Sequence, residues 1–155
     1  MQQKEQFTQE IINGYTFKGG SFLLGSAMLN GEVVTEAAVR VPLRTLNRHG
    51  LISGATGTGK TKTLQVLAEA LSNASIPVLL MDIKGDLSGL AAAGTGHPKI
   101  DERTQLLGIN FTPSSFPVEL LSLSDEPCVR LRATVTEFGP VLLAKVLDLN
   151  STQES

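Results

Sequence analysis

The sequence predicts an α/β protein: a parallel-sheet, three-layer core preceded by a small antiparallel β element. Three observations carry that prediction. The pair Asn30-Gly31, the strongest short hairpin signal, joins two apolar-rich arms, residues 22–29 and 33–43. Gly54-Ala55-Thr56-Gly57-Thr58-Gly59-Lys60-Thr61 has an apolar run on one side and a helix-periodic run on the other. Residues 78–81, Val-Leu-Leu-Met, form the continuous apolar run expected of a strand covered on both faces.

Composition narrows the class further. At 155 residues the chain can bury one core. Hydrophobic content of 41% and charged content of 18% exclude a disordered chain. The net charge of −2 gives no electrostatic reason to bind nucleic acid or an anionic membrane, although a nucleic-acid-binding protein can carry its basic residues on a few loops or elsewhere in an assembly. Cys128 is the lone cysteine, which rules out an intrachain disulfide and fits a reducing cytoplasm. No apolar run approaches the ~20 residues needed to span a bilayer, and the polar N-terminus lacks a signal-peptide core. These features predict a soluble cytoplasmic domain without a membrane partner.

Taken in order, residues 1–14 read as a loose polar leader, with Phe7, Ile11 and Ile12 as anchors to the surface. In the second hairpin arm Ala37, Val39, Val41 and Leu43 alternate with Ala38, Arg40, Pro42 and Arg44, the pattern of a strand with one buried face. Pro42 puts the end of that arm at an edge or a terminus. Leu51-Ile52-Ser53 is the strand expected to feed the glycine-rich stretch. After Lys60, Leu64, Leu67, Ala68 and Leu71 recur at i, i+3, i+4, i+7, one face of a helix that should end near Asn73 in a left-handed cap. Residues 78–81 supply the next strand, completing a βαβ unit. Residues 98–107 read as a helix with Pro98 near its first position and Gly108 beyond its end. Short strands are expected at 109–111 and 118–123, a half-buried strand over 129–136, and a helix from Pro140. The leader and hairpin element therefore span 1–44, and the core spans 45–155.

The glycine-rich stretch fits G-x-x-x-x-G-K-[ST], the phosphate-binding loop of nucleoside triphosphatases. Its chemistry follows from its residue types. Glycines let Gly54, Ala55, Thr56, Gly57, Thr58 and Gly59 curl into a nest of inward N–H groups. Lys60 reaches the β- and γ-phosphates, Thr61 ligates Mg²⁺, and the helix start through Lys62 adds unpaired amides and a positive dipole end. The implied ligands are ATP and Mg²⁺. Asp82 follows the second strand, where ligands gather in parallel sheets. It either faces the phosphate-bound Mg²⁺, directly or through water, or simply begins a loop whose next turn Asp86 caps.

Other candidates carry less. Residues 118–123 followed by Asp125-Glu126 imitate an acid strand, but Glu119, Ser122 and Ser124 interrupt the apolar run and Pro127 marks a turn. No catalytic residue is therefore assigned. Arg130 and Arg132 share a strand face, which a solvated surface explains as well as a phosphate or a neighbouring subunit. His49 and His97 lack companions at metal spacing.

Residues 47–53 leading into the glycine-rich loop, residues 81–89, residues 132–140 and residues 142–150 together resemble the N-terminal part of bacterial HerA-like ATPases of the YjgR type. The resemblance covers roughly residues 41–155. It implies a phosphate-loop motor domain related to the HerA and FtsK translocases, homo-hexameric rings that move on DNA using ATP. It also implies that the principal metal-and-water acid pair lies on a later strand, so these residues would form an incomplete core, truncated at its C-terminus. DNA would then be met through the full-length assembly. Two alternatives stay open: a ring ATPase acting on proteins with no DNA role, and a non-catalytic nucleotide-binding fragment.

Overall fold

The computed structural model describes residues 2–150 and 152–153; Met1, at the head of the expected leader, and residues 151, 154 and 155 lie outside them. The described residues are mixed α/β, with one antiparallel and one parallel two-stranded sheet, and the chain divides into two compact units, Met1–Pro117 and Val118–Ser155.

In the first unit the expected loose leader is instead a helix, α1 (Gln2–Tyr15). Straight-chain Gln, Glu and Lys residues favour helix. Side-chain bonds at i, i+4 reinforce it, from Gln6 to Glu10 at 3.1 Å and from Gln9 to Asn13 at 3.0 Å. Phe7 and Ile11 are half-buried, whereas Ile12 is exposed. The hairpin forms as the sequence signals: β1 (Ser21–Leu29) pairs antiparallel with β2 (Glu32–Pro42), and Leu29 faces Glu32 across the turn. Asn30 (φ 51°) and Gly31 (φ 84°) both take left-handed conformations, as a type I′ turn demands. Pairing jumps from Ser26↔Ala38 to Met28↔Val33, so β2 carries extra residues there. Within that irregular stretch lie Val34 and Ala37, 2% and 0% exposed. Helix α1 lies against β2.

The two strands expected to flank the glycine-rich loop do not form. Residues 51–53 and 78–81 carry no regular secondary structure and belong to no sheet. Leu51, Leu79 and Met81 are 89%, 80% and 91% exposed. Parallel strands hold when neighbours and covering layers enclose both faces, and the described residues supply no such enclosure for these two runs. The helix between them does form, as α2 (Lys60–Asn73). Its end differs in detail from the expected cap at Asn73. Ser75 (φ 59°) is the left-handed residue, with Ser75 N–H donating to Ser72 O and Ile76 N–H to Leu71 O, both at 2.9 Å. Helix α3 (Pro98–Leu107) has Pro98 at its start and Gly108 (φ 64°) at its end, as the sequence indicates. The His97 ring nitrogen Nδ1 caps it by accepting from Lys99 N–H at 3.1 Å, which gives that histidine a structural role.

In the second unit, β3 (Leu121–Ser122) pairs in parallel with β4 (Val129–Arg130). The strand expected over 109–111 is absent, those expected over 118–123 and 129–136 are reduced to β3 and β4, and Val129, Leu131 and Val135 are exposed. Alternation at 129–136 loses to a local helix signal. Thr134 and Glu137 form a reciprocal capping box, starting α4 (Val135–Val146) five residues before the expected Pro140. Gly139 (φ 65°, ψ 167°) breaks α4 just ahead of Pro140, which cannot continue a helix's hydrogen-bond ladder.

Candidate phosphate-binding loop

The glycine-rich loop folds around one acceptor, the carbonyl oxygen of Ala55. Thr58 donates to it from its amide at 3.3 Å and from Oγ1 at 2.8 Å, and Lys60 Nζ donates at 2.7 Å. The lysine ammonium is thereby turned back onto the loop. Gly57 (φ 81°) and Gly59 (φ 96°) occupy the left-handed region that glycine adopts without strain. A Cβ at Gly54 would stand 2.5 Å from Thr58 Oγ1, so that hydroxyl would have to move to admit one.

Gly59 is the N-cap of α2 and has no side chain to offer. The first intrahelical bond runs from Thr63 N–H to Gly59 O at 2.9 Å, so the amides of Lys60, Thr61 and Lys62 precede the ladder. Thr61 is exposed on the same turn, and its hydroxyl makes no hydrogen bond among the described residues. An anion at this helix end would meet free amides, an ammonium and the positive end of the dipole, a donor set that fits phosphate. Lys62 differs from Lys60: its ammonium lies along α2 and donates to Gln65 Oε1 at 2.9 Å.

Asp82 organises a turn of its own. Its Oδ1 accepts from Lys84 N–H at 3.1 Å and Gly85 N–H at 3.0 Å, and its Oδ2 accepts from Leu87 N–H at 2.7 Å. These amides, that of Leu87 above all, hold the carboxyl below the usual aspartate range. Asp86 does not cap the following 3₁₀ turn, Ser88–Ala91, whose N-cap is Leu87. A residue absent from the sequence reading joins this turn to α2: Gln65 Nε2 donates to the Asp86 carbonyl at 2.9 Å. Its position on the half-buried side of α2 was the only sequence signal for it, and apolar periodicity does not register a glutamine.

The remaining sequence candidates are placed locally. Glu126 lies near Ser122 Oγ at 3.5 Å, and Arg130 pairs with Asp125. Among the described residues no group of three or more His, Cys, Asp or Glu is arranged to hold a metal ion. No helix among them is long and apolar enough to cross a membrane.

Residues 28–155 match the family model described as helicase HerA-like C-terminal. The chain belongs to the HerA-like helicase family. It is 29% identical over 113 residues to the DNA double-strand break repair helicase HerA of Sulfurisphaera tokodaii, a match covering 72% of this chain and 21% of that protein. The HerA-like chain thus spans about a fifth of that relative's length. No solved structure matches it.

Proposed function

We propose that this chain supplies the ATP-binding segment of a HerA-like ATPase that, as a full assembly, translocates on DNA. The observation that carries the reading is the Lys60 ammonium folded onto the loop at the uncapped start of α2. Membership of a helicase family supports a triphosphate as the ligand of that loop.

In this reading the loop from Gly54 through Gly59 wraps the phosphates, Lys60 meets the β- and γ-phosphates, and the amides of Thr61 and Lys62 complete the anion site. The Thr61 hydroxyl would hold Mg²⁺, which would supply charge neutralisation on the phosphates. Asp82, already accepting three amides, contributes by shaping its turn, and its carboxylate would face the metal directly or through water. The segment 45–155 is the N-terminal part of a phosphate-loop, three-layer core, and 1–44 is an appended element. The setting is cytoplasmic, consistent with an unpaired Cys128. The assembly is a homo-hexamer, and the acid pair for hydrolysis is not among these residues.

Calorimetric titration with ATP·Mg²⁺ tests the site. Binding should be measurable, weaken by about tenfold or more on Lys60→Ala through loss of a charge-assisted contact, and proceed with negligible turnover. Affinity unchanged by that substitution overturns the loop assignment. Sustained hydrolysis that Lys60→Ala abolishes would place a catalytic acid within this chain. For the full-length protein, ATPase stimulation by duplex DNA distinguishes a DNA motor from a ring acting on proteins.

A further inference from the structure

We propose that Gln65 is a positioning residue, the tie through which nucleotide at the glycine-rich loop orders the turn of residues 82–87. The proposal rests on the reading of that loop as a nucleotide site. Gln65 uses both ends of its amide: Oε1 accepts from Lys62 Nζ and Nε2 donates to the Asp86 carbonyl, each at 2.9 Å. Its orientation is settled by its partners, since an ammonium only donates and a carbonyl only accepts. Among the described residues this is the one side-chain hydrogen bond from α2 to the turn.

The two ends of the tie face different things. Lys62 belongs to the first turn of α2, where the amides of Lys60, Thr61 and Lys62 await an anion. Asp86 belongs to a turn that the Asp82 carboxylate closes through three amides and that Gly85 (φ 80°) lets bend. That turn is otherwise exposed up to Leu87; Ile83 projects fully into solvent. A phosphate fixing the first helical turn fixes Lys62, which fixes the Gln65 amide, which fixes the Asp86 carbonyl. The position uses a donor and an acceptor on one planar group, which an amide side chain supplies.

Hydrogen exchange of the whole chain, with ATP·Mg²⁺ as the probe, tests the tie. In the wild type, ATP·Mg²⁺ should slow exchange at the Lys84, Gly85 and Leu87 amides by about fivefold, as the exposed Gln65 bonds become more fully populated by a margin worth about one net hydrogen bond. Gln65→Glu keeps an acceptor for Lys62 but has nothing to donate to Asp86. It should bind ATP·Mg²⁺ and lose the slowing, as should Gln65→Ala, while hairpin amides 21–42 exchange as in the wild type. Equal slowing in Gln65→Glu and wild type overturns the tie, as does a wild type that binds ATP·Mg²⁺ without slowing. Loss of binding in both variants makes Gln65 part of the binding site and likewise overturns it. A wild type that fails to bind ATP·Mg²⁺ overturns the nucleotide reading, and the tie with it.

Discussion

Residues 21–42 find their strand partners within the hairpin itself, whereas the apolar runs of residues 51–87 find none. In the hairpin, turn, ladder and burial agree: Asn30-Gly31 sets the twist, β1 and β2 pair on both sides of one irregular stretch, and Val34 and Ala37 within that stretch are buried. In the loop segment the helix α2 and the glycine-rich loop are formed, yet the apolar runs on either side stay unpaired and exposed. The difference is one of locality. An antiparallel hairpin finds its partner two residues away, while a parallel strand depends on neighbours brought from afar and on layers over both faces.

The largest test of this contrast places one charge in each region. Ala37→Asp buries an unpaired carboxylate at a position that is 0% exposed and should cost about 3 kcal/mol or more in urea unfolding followed by circular dichroism. Leu79→Asp, at 80% exposure, should change the same midpoint by less than about 0.5 kcal/mol. Comparable losses would mean that residues 78–81 are covered in solution, and the contrast would fail.

A smaller effect probes the turn. Gly31→Ala places a Cβ on a residue at φ 84° and should destabilise the hairpin by about 1 kcal/mol, read from the same unfolding curves. An unchanged midpoint would show that ladder and burial, not turn geometry, set the register.

What could be read beforehand follows the same division. Asn30-Gly31, the i, i+3, i+4, i+7 run after Lys60, and the Pro98…Gly108 bracket around α3 are signals complete within a dozen residues, and each element stands where its residues place it. Residues 51–53 and 78–81 are apolar enough for strands, but apolarity states only that a run needs covering, not that a cover is at hand. The polar leader is a helix because propensity and i, i+4 bonds suffice without an apolar stripe. At 129–136 alternation pointed to a strand, and the Thr134–Glu137 capping box outweighed it. The candidate loop was legible because its glycines and lysine have few other uses in that order. Gln65 was not, because its role depends on a turn 21 residues away.

Gly54→Ala separates loop chemistry from fold stability. The new Cβ would displace Thr58 Oγ1 from 2.5 Å and break its 2.8 Å bond to Ala55. Affinity for ATP·Mg²⁺ should fall about fivefold, the worth of roughly one hydrogen bond, while the unfolding midpoint stays near wild type. A drop in midpoint with affinity retained would reverse the two roles.

The smallest effect lies in the Asp82 turn, and its sign follows from the direction of the shift. The folded carboxyl sits below the ordinary aspartate value of about 3.9, chiefly through the Leu87 amide, so the folded turn binds its proton less readily than the unfolded chain. Its contribution is therefore fully present above that ordinary value and is lost as pH falls through the lower folded one. Protection of the Leu87 amide against exchange should accordingly hold at neutral pH and fade below about pH 4. In Asp82→Asn, which has no carboxyl to titrate there, that protection should be weaker and flat over the same range. Fading in both proteins would assign the acid sensitivity to another group. Fading in the wild type alone would show that the turn beneath α2 is held by a charge the loop region supplies for itself, as the hairpin supplies its own ladder.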